Sequence, residues 1–133
     1  MRGTPEEALL RSNEAFYEAF ATRNMEAMDE LWAHATPVAC VHPGWPPLHG
    51  RAEVMSSWRS ILLDGDAPEI TCENAQAVLL GSVGFVTCYE RIGDDRLAAT
   101  NVFSLEDGVW QLVLHQAGGI APEAAAPPDQ PLN

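Results

Sequence analysis

The sequence predicts an α+β domain, and three features carry that prediction. Apolar residues recur mainly at helical spacing as far as Leu63, and from Glu69 onward the pattern changes to a period of two in β-rich segments. Those later segments are joined by connections short enough to force antiparallel neighbours. Between the two halves, the prolines and glycines of Pro43 to Gly50 shape a loop that neither a helix nor a central strand would tolerate. Helices followed by strands imply a cone-shaped, curved antiparallel sheet wrapped around a long N-terminal helix and two shorter helices. Such a cone has an open mouth, and its inward side chains are expected to line a pocket there.

The elements follow in order. Thr4-Pro5-Glu6-Glu7 is a helix start, with Thr4 as cap, Pro5 at the first helical position and Glu7 completing a capping box. The helix runs to about Ala21, with Leu9, Leu10, Phe16, Tyr17 and Phe20 on one face and Glu6, Arg11, Glu14 and Glu18 on the other. Asn24 caps a second helix through Trp32. Thr36 to His42 reads as a strand, and Pro47 to His49 as a short return strand. Gly50-Arg51 opens a third helix whose Val54, Trp58, Ile61 and Leu62 share a face, and Leu63 to Pro68 stops it. Four strands are then expected at Glu69–Leu80, Gly84–Ile92, Arg96–Leu105 and Val109–Gly118. One domain over 1–120 and a Pro/Ala-rich mobile tail over 121–133 complete the reading.

Composition narrows the function. The chain has 133 residues and a formal charge of −12, which opposes binding to phosphate backbones, so no nucleic-acid partner is expected. Every basic residue is arginine, and a lysine Schiff base is thereby excluded. No apolar run is long enough for a membrane helix, and the acidic N-terminus is unlike a signal peptide; a cytoplasmic protein without membrane partners is expected. Cys40, Cys72 and Cys88 read as buried thiols, and the histidine and cysteine spacings match no closed metal site. Neither metal nor cofactor is expected. Phosphate-binding loops and nucleophile elbows are missing as well.

Asn24-Met-Glu-Ala-Met, Leu31-Trp32, Gly50-Arg51 with Ser57-Trp58, Ala99-Thr-Asn-Val-Phe103 and Gly108-Val-Trp-Gln-Leu-Val-Leu-His115-Gln occur in an order that resembles the nuclear transport factor 2-like superfamily, in its SnoaL-like branch. The resemblance spans about Pro5 to Ile120. It implies a cystatin-like cone with a pocket inside, and a homodimer joined across the outer sheet face. It does not imply one function, because the fold hosts isomerases, cyclases, dehydratases and non-catalytic modules. The ketosteroid isomerases of that superfamily carry an oxyanion-donating tyrosine on the first helix, whose place falls here on Phe16. Their catalytic carboxylate, before a proline after the first strand, falls on His42.

The site candidates follow from position. His42 ends a strand beside a rigid Pro-Gly turn, and a histidine serves as a base near neutrality; the alternative is an imidazole that hydrogen-bonds the loop. His115 is expected near the mouth, or else as a core or interface hydrogen-bonding group. Asn101 shares a face with Leu97, Ala99, Phe103 and Leu105 and must find a polar partner. Glu90 is either an inward carboxylate that orients a histidine or, the commoner case, a solvated glutamate at a sheet edge. Phe16, Phe20, Trp32, Trp58 and Phe103 are core or pocket wall, and Trp45 lids the pocket or meets a partner subunit. Two functions fit. One is a pocket protein for a small apolar or aromatic molecule, with proton transfer, cyclisation or dehydration by His42 and a nearby carboxylate. The other is a non-catalytic dimeric binding or assembly module with structural histidines.

Overall fold

The structure is a computed structural model that describes residues 3–121. The expected tail over 121–133 lies, from residue 122 onward, outside the described residues. Three helices, α1 (Pro5–Ala21), α2 (Met25–Leu31) and α3 (Arg51–Leu63), pack on a sheet of β1 (Ala39–Val41), β2 (Leu48–His49), β3 (Thr71–Leu80), β4 (Val83–Ile92), β5 (Asp95–Glu106) and β6 (Val109–Gly119). The strand order is β2-β1-β6-β5-β4-β3. The four long strands form the expected meander. The short β1 joins it in parallel alongside β6 and pairs antiparallel with β2.

The local signals act as their chemistry dictates. The Thr4 side chain accepts from Glu7 N and the Glu7 carboxylate accepts from Thr4 N, so two otherwise unpaired donors are satisfied. Asn24 Oδ1 caps α2 by accepting from Ala27 N. The second helix stops at Leu31, because Trp32 has turned to extended backbone and bridges to Leu112 of β6. The strand expected over 36–42 shrinks to Ala39–Val41, since the long strands of the meander offer it only the length of β6 from Leu114 to Gln116.

Two devices set the distances between layers. Arg51 donates to Asp29 O and Oδ1, Trp32 O and Ala33 O, and so fastens the start of α3 to the end of α2. Gly84 in β4 lets α1 approach closely, for a Cβ there would lie 2.6 Å from Leu9 Cδ2. The core between helices and sheet holds Leu9, Phe16, Met28, Trp32, Val54, Trp58, Val86, Phe103 and Leu112, all fully buried.

Candidate functional site

Helical spacing on α1 presents Leu9, Asn13, Phe16, Tyr17 and Phe20 to the sheet. Alternation on the strands turns Glu90 of β4, Asn101 of β5 and His115 of β6 to the same interior. Asn101 and His115 are paired directly across β5 and β6, and Cys40 of β1 lies beside His115 in the next row. A β-bulge between Val102 and Phe103 on one side and Leu112 and Leu114 on the other keeps both strands buried through this level.

These side chains form a closed ring of polar contacts. Asn101 Nδ2 donates to Asn13 Oδ1 at 2.8 Å and to the Tyr17 hydroxyl at 3.2 Å. Its oxygen is therefore the end that faces His115 Nδ1, 2.5 Å away, and the proton of the neutral imidazole resides on Nδ1. Tyr17 in turn donates to Glu90 Oε2 at 2.6 Å, and Glu90 Oε2 lies 3.7 Å from His115 Nε2. The outer links run to sulfur: Tyr17 Oη contacts Cys88 Sγ at 3.3 Å, and Asn13 Nδ2 donates to Cys72 Sγ at 3.7 Å.

Burial decides the protonation of the ring. It raises the Glu90 carboxyl above its usual range, with the Tyr17 hydrogen bond opposing. Burial, reinforced by His42, pushes His115 down to about 3. Tyr17 is held firmly protonated, by burial first and then by Glu90. Across 3.7 Å a carboxyl that burial makes reluctant to ionise faces a bare imidazole nitrogen that burial makes reluctant to protonate, because a low-dielectric interior disfavours both charges.

His42 occupies a second limb of the site. Ser57 Oγ donates to Val54 O at 2.7 Å, which leaves its lone pairs to accept from His42 Nε2 at 2.9 Å. The imidazole is wedged between Trp45 and Trp58, each 4.8 Å away and edge-on, and stands 6.3 Å from the His115 ring. Burial pushes His42 down to about 4, so it is a neutral base at physiological pH and titrates far below neutrality.

The sequence candidates sort into three groups. Glu90, Asn101 and His115 come together as one network, and His42 joins it through the aromatic layer. Phe16, Phe20 and Trp58 form that layer, with Phe16 touching His115 at 4.9 Å and Trp58 at 5.4 Å. Trp32 and Phe103 lie in the core beyond it, while Trp45 is 42% exposed on the loop. Glu90 is not the solvated sheet-edge glutamate: the β5 and α1 neighbours cover it and leave it 1% exposed. The residue that sequence reasoning passed over is Tyr17. Placing the helix donor at Phe16 left none, whereas the hydroxyl sits one position further on, aimed at Glu90. Asn13, an amide on the apolar stripe of α1, was the available signal for the network.

The open mouth is corrected too. Phe16, Trp58 and Asn101 are 0% exposed and His115 1%, so these side chains border no space that water enters. The cone interior is filled at this level by its own aromatic rings. Among the hollows are one of about 660 Å³ beside Pro5, Arg11 and Trp110, one of about 370 Å³ on the sheet beside Thr87, Tyr89 and Thr100, one of about 500 Å³ outside α3 beside Trp45, Glu53, Ser56 and Ser57, and one of about 110 Å³ between the ends of α1 and α3. Among the described residues, no three His, Cys, Asp or Glu side chains gather as a metal site requires, and no helix is long and apolar enough to cross a membrane.

Residues 9–121 match the SnoaL-like domain family over most of the chain. The chain belongs to that family. Within the nuclear transport factor 2-like fold, it is 31% identical to a candidate dehydratase of that family from Streptomyces avermitilis, with 87% of this chain and 96% of that one covered at a TM-score of 0.79. It is also 31% identical to a candidate calcium/calmodulin-dependent protein kinase type II association domain from Thiobacillus denitrificans, covering 89% and 96% at a TM-score of 0.71. The F-box protein SKIP8 of Arabidopsis thaliana matches at 25% identity over 112 residues, 83% of this chain and 48% of that protein, so the chain spans about half the length of this curated relative. A candidate ketosteroid isomerase from Parabacteroides distasonis shares the fold at 15% identity, with 90% of each chain covered and a TM-score of 0.71. These likenesses establish a SnoaL-like α+β cone.

Proposed function

We propose that this SnoaL-like domain binds a small apolar or aromatic molecule and moves a proton on it, with Glu90, Tyr17 and His115 as the proton-handling groups and Asn101 as the residue that orients them. One observation carries the reading: four polar side chains, Asn13, Glu90, Asn101 and His115, are 0–1% exposed in a cone that apolar residues could have filled. A buried carboxyl and a buried imidazole each cost several kcal/mol of desolvation. Ionisable groups whose pKa is shifted by burial and by a specific neighbouring group mark candidate acid–base sites. A carboxyl that holds its proton more tightly than usual, next to a bare imidazole nitrogen, is able to give a proton at one atom of a ligand and take one at another. The 31%-identical relative described as a candidate dehydratase supports the same class of chemistry.

The test is deuterium incorporation from heavy water into the methyl carbon next to the carbonyl of acetophenone, followed by NMR. The wild-type protein is expected to accelerate exchange, and Glu90→Gln and His115→Gln to lose about 10²-fold or more of that acceleration. Exchange at the uncatalysed rate, with no perturbation of any protein resonance, would overturn the reading.

A second reading has its own support. Val78, Leu80, Val83, Leu105 and Val109 are exposed and the interior is closed, as an assembly module that pairs through its sheet would be, and the relative described as a candidate kinase association domain fits it. Sedimentation at tens of micromolar separates the two, since a monomer there removes the assembly reading.

A further inference from the structure

Trp58 is fully buried, yet its indole Nε1 has no hydrogen-bond partner among the described residues. Trp32 Nε1, deeper in the core, is the other buried donor without a partner among the described residues, and each calls for an explanation. Trp58 stands at the centre of the aromatic layer, edge-on to Phe16, Phe20 and His42 and 5.8 Å from the ring of His115. Any acceptor that reached it would lie next to the proton-handling network.

One side of that layer is thin. Phe20, only half-buried, packs edge-on against Trp58 at 5.1 Å, and also lines the hollow of about 110 Å³ bounded by Ala21, Arg23, Ile61, Leu62, Ala67, Pro68 and Glu69. The rest of the rim is pinned. Arg23 donates to the carbonyls of Leu62, Asp64 and Ala67, tying the end of α1 to the chain after α3. Movement here therefore falls to the Phe20 ring. An apolar cavity of about 150 Å³ holds one benzene ring, so the hollow joined to the volume that Phe20 vacates suffices for a single-ring ligand.

We infer that Phe20 is the door of the ligand site and that Trp58 Nε1 is the donor behind it, so the ligand is a single-ring aromatic with an uncharged acceptor oxygen, such as an aryl ketone. The inference rests on the pocket reading above and names its ligand class. An acceptor is required because the unpartnered group is a donor. An anionic ligand is disfavoured because the Arg23 guanidinium is committed to carbonyls, Glu69 stands on the rim and the chain carries −12.

The experiment compares acetophenone with ethylbenzene, which has nearly the same shape and no acceptor, by following the tryptophan indole N–H resonances. Trp58→Phe identifies the Trp58 signal. In Phe20→Ala, acetophenone is expected to bind about tenfold more tightly than in the wild type and to move the Trp58 signal downfield. Ethylbenzene is expected to bind about tenfold more weakly than acetophenone and to leave that signal in place, the loss of one hydrogen bond. Adding Trp58→Phe should erase the preference. Should Phe20→Ala fail to fold, Phe20→Leu is to show the same order with a smaller gain. Acetophenone shifts at His115 and Tyr17 with Trp58 unmoved overturn this inference and leave the pocket reading intact, whereas shifts centred on Trp45 place the ligand outside α3 and overturn it as well. No binding to any of these proteins removes both.

Discussion

The two ends of α1 look into opposite kinds of interior. Around Leu9 the cone is dry: Met28, Trp32, Phe103 and Leu112 pack there with no exposure, and Gly84 yields space for Leu9. One and two turns further along, Asn13 and Tyr17 meet Glu90, Asn101 and His115 in a layer equally buried, but polar. The same helix and the same strands build both halves. Burial is therefore not what distinguishes a site from a core here; the desolvation of polar groups is. The apolar half gains free energy from burial, whereas the polar half is tolerated because each donor finds an acceptor.

The sharpest test of the comparison lies where the halves meet. Trp58→Ala should cost about 3–5 kcal/mol in chemical denaturation, because a fully buried indole leaves a cavity that the rigid sheet cannot fill. A loss under about 1 kcal/mol would show that the aromatic layer is not structural.

Acid should damage the polar half selectively. In the unfolded chain His42 takes up a proton below about pH 6.5, but in the folded chain only below about 4. Its contribution is thus intact above 6.5 and lost as pH falls toward 4, with His115 acting in the same direction down to about 3. For His42 alone the loss is about 3 kcal/mol. Unfolding measured from pH 8 to 4 should show that decline, and His42→Asn should flatten it.

Tyr17→Phe removes one oxygen and no volume of consequence. It leaves Glu90 Oε2 and one proton of Asn101 Nδ2 short of a partner, and should cost about 1–3 kcal/mol. The Glu90 carboxyl should move further upward, since the hydrogen bond that opposed burial is gone. A shift downward would contradict the ring as described.

The smallest expected effect has the opposite sign. Glu90→Gln keeps an acceptor for Tyr17 and removes a carboxyl whose ionisation the interior resists. Because the folded pKa of Glu90 is raised, the wild type loses stability as pH rises through that value, and the variant does not. Thermal unfolding at pH 8 should show Glu90→Gln more stable by roughly 1 kcal/mol, a gain bought with activity if the proposed role holds.

Much of this was legible before any coordinates. The capping box at Thr4 and Glu7, the cap at Asn24, and the short connections between the last four strands act within a few residues, so local chemistry alone specifies them. The inward place of Asn101 followed from strand alternation, a property of the backbone pleat, whereas for Glu90 alternation left a solvated sheet edge as the commoner reading. Pairing partners were not legible. Neither spacing nor composition says that His115 lies opposite Asn101, or that α1 crosses the sheet so that Tyr17, and not Phe16, presents the polar atom to Glu90. One helical step of about 100° in azimuth separates those two residues, and which of them faces Glu90 is decided by how α1 packs on the sheet. The closing of the mouth likewise depends on rings from α1 and α3 meeting in space. What the sequence determined by itself was which elements form and which side of each is apolar, because those are decided by neighbours along the chain. The tertiary structure alone decided which buried polar groups face each other and whether they touch water, because desolvation and hydrogen bonding depend on distances that only packing fixes.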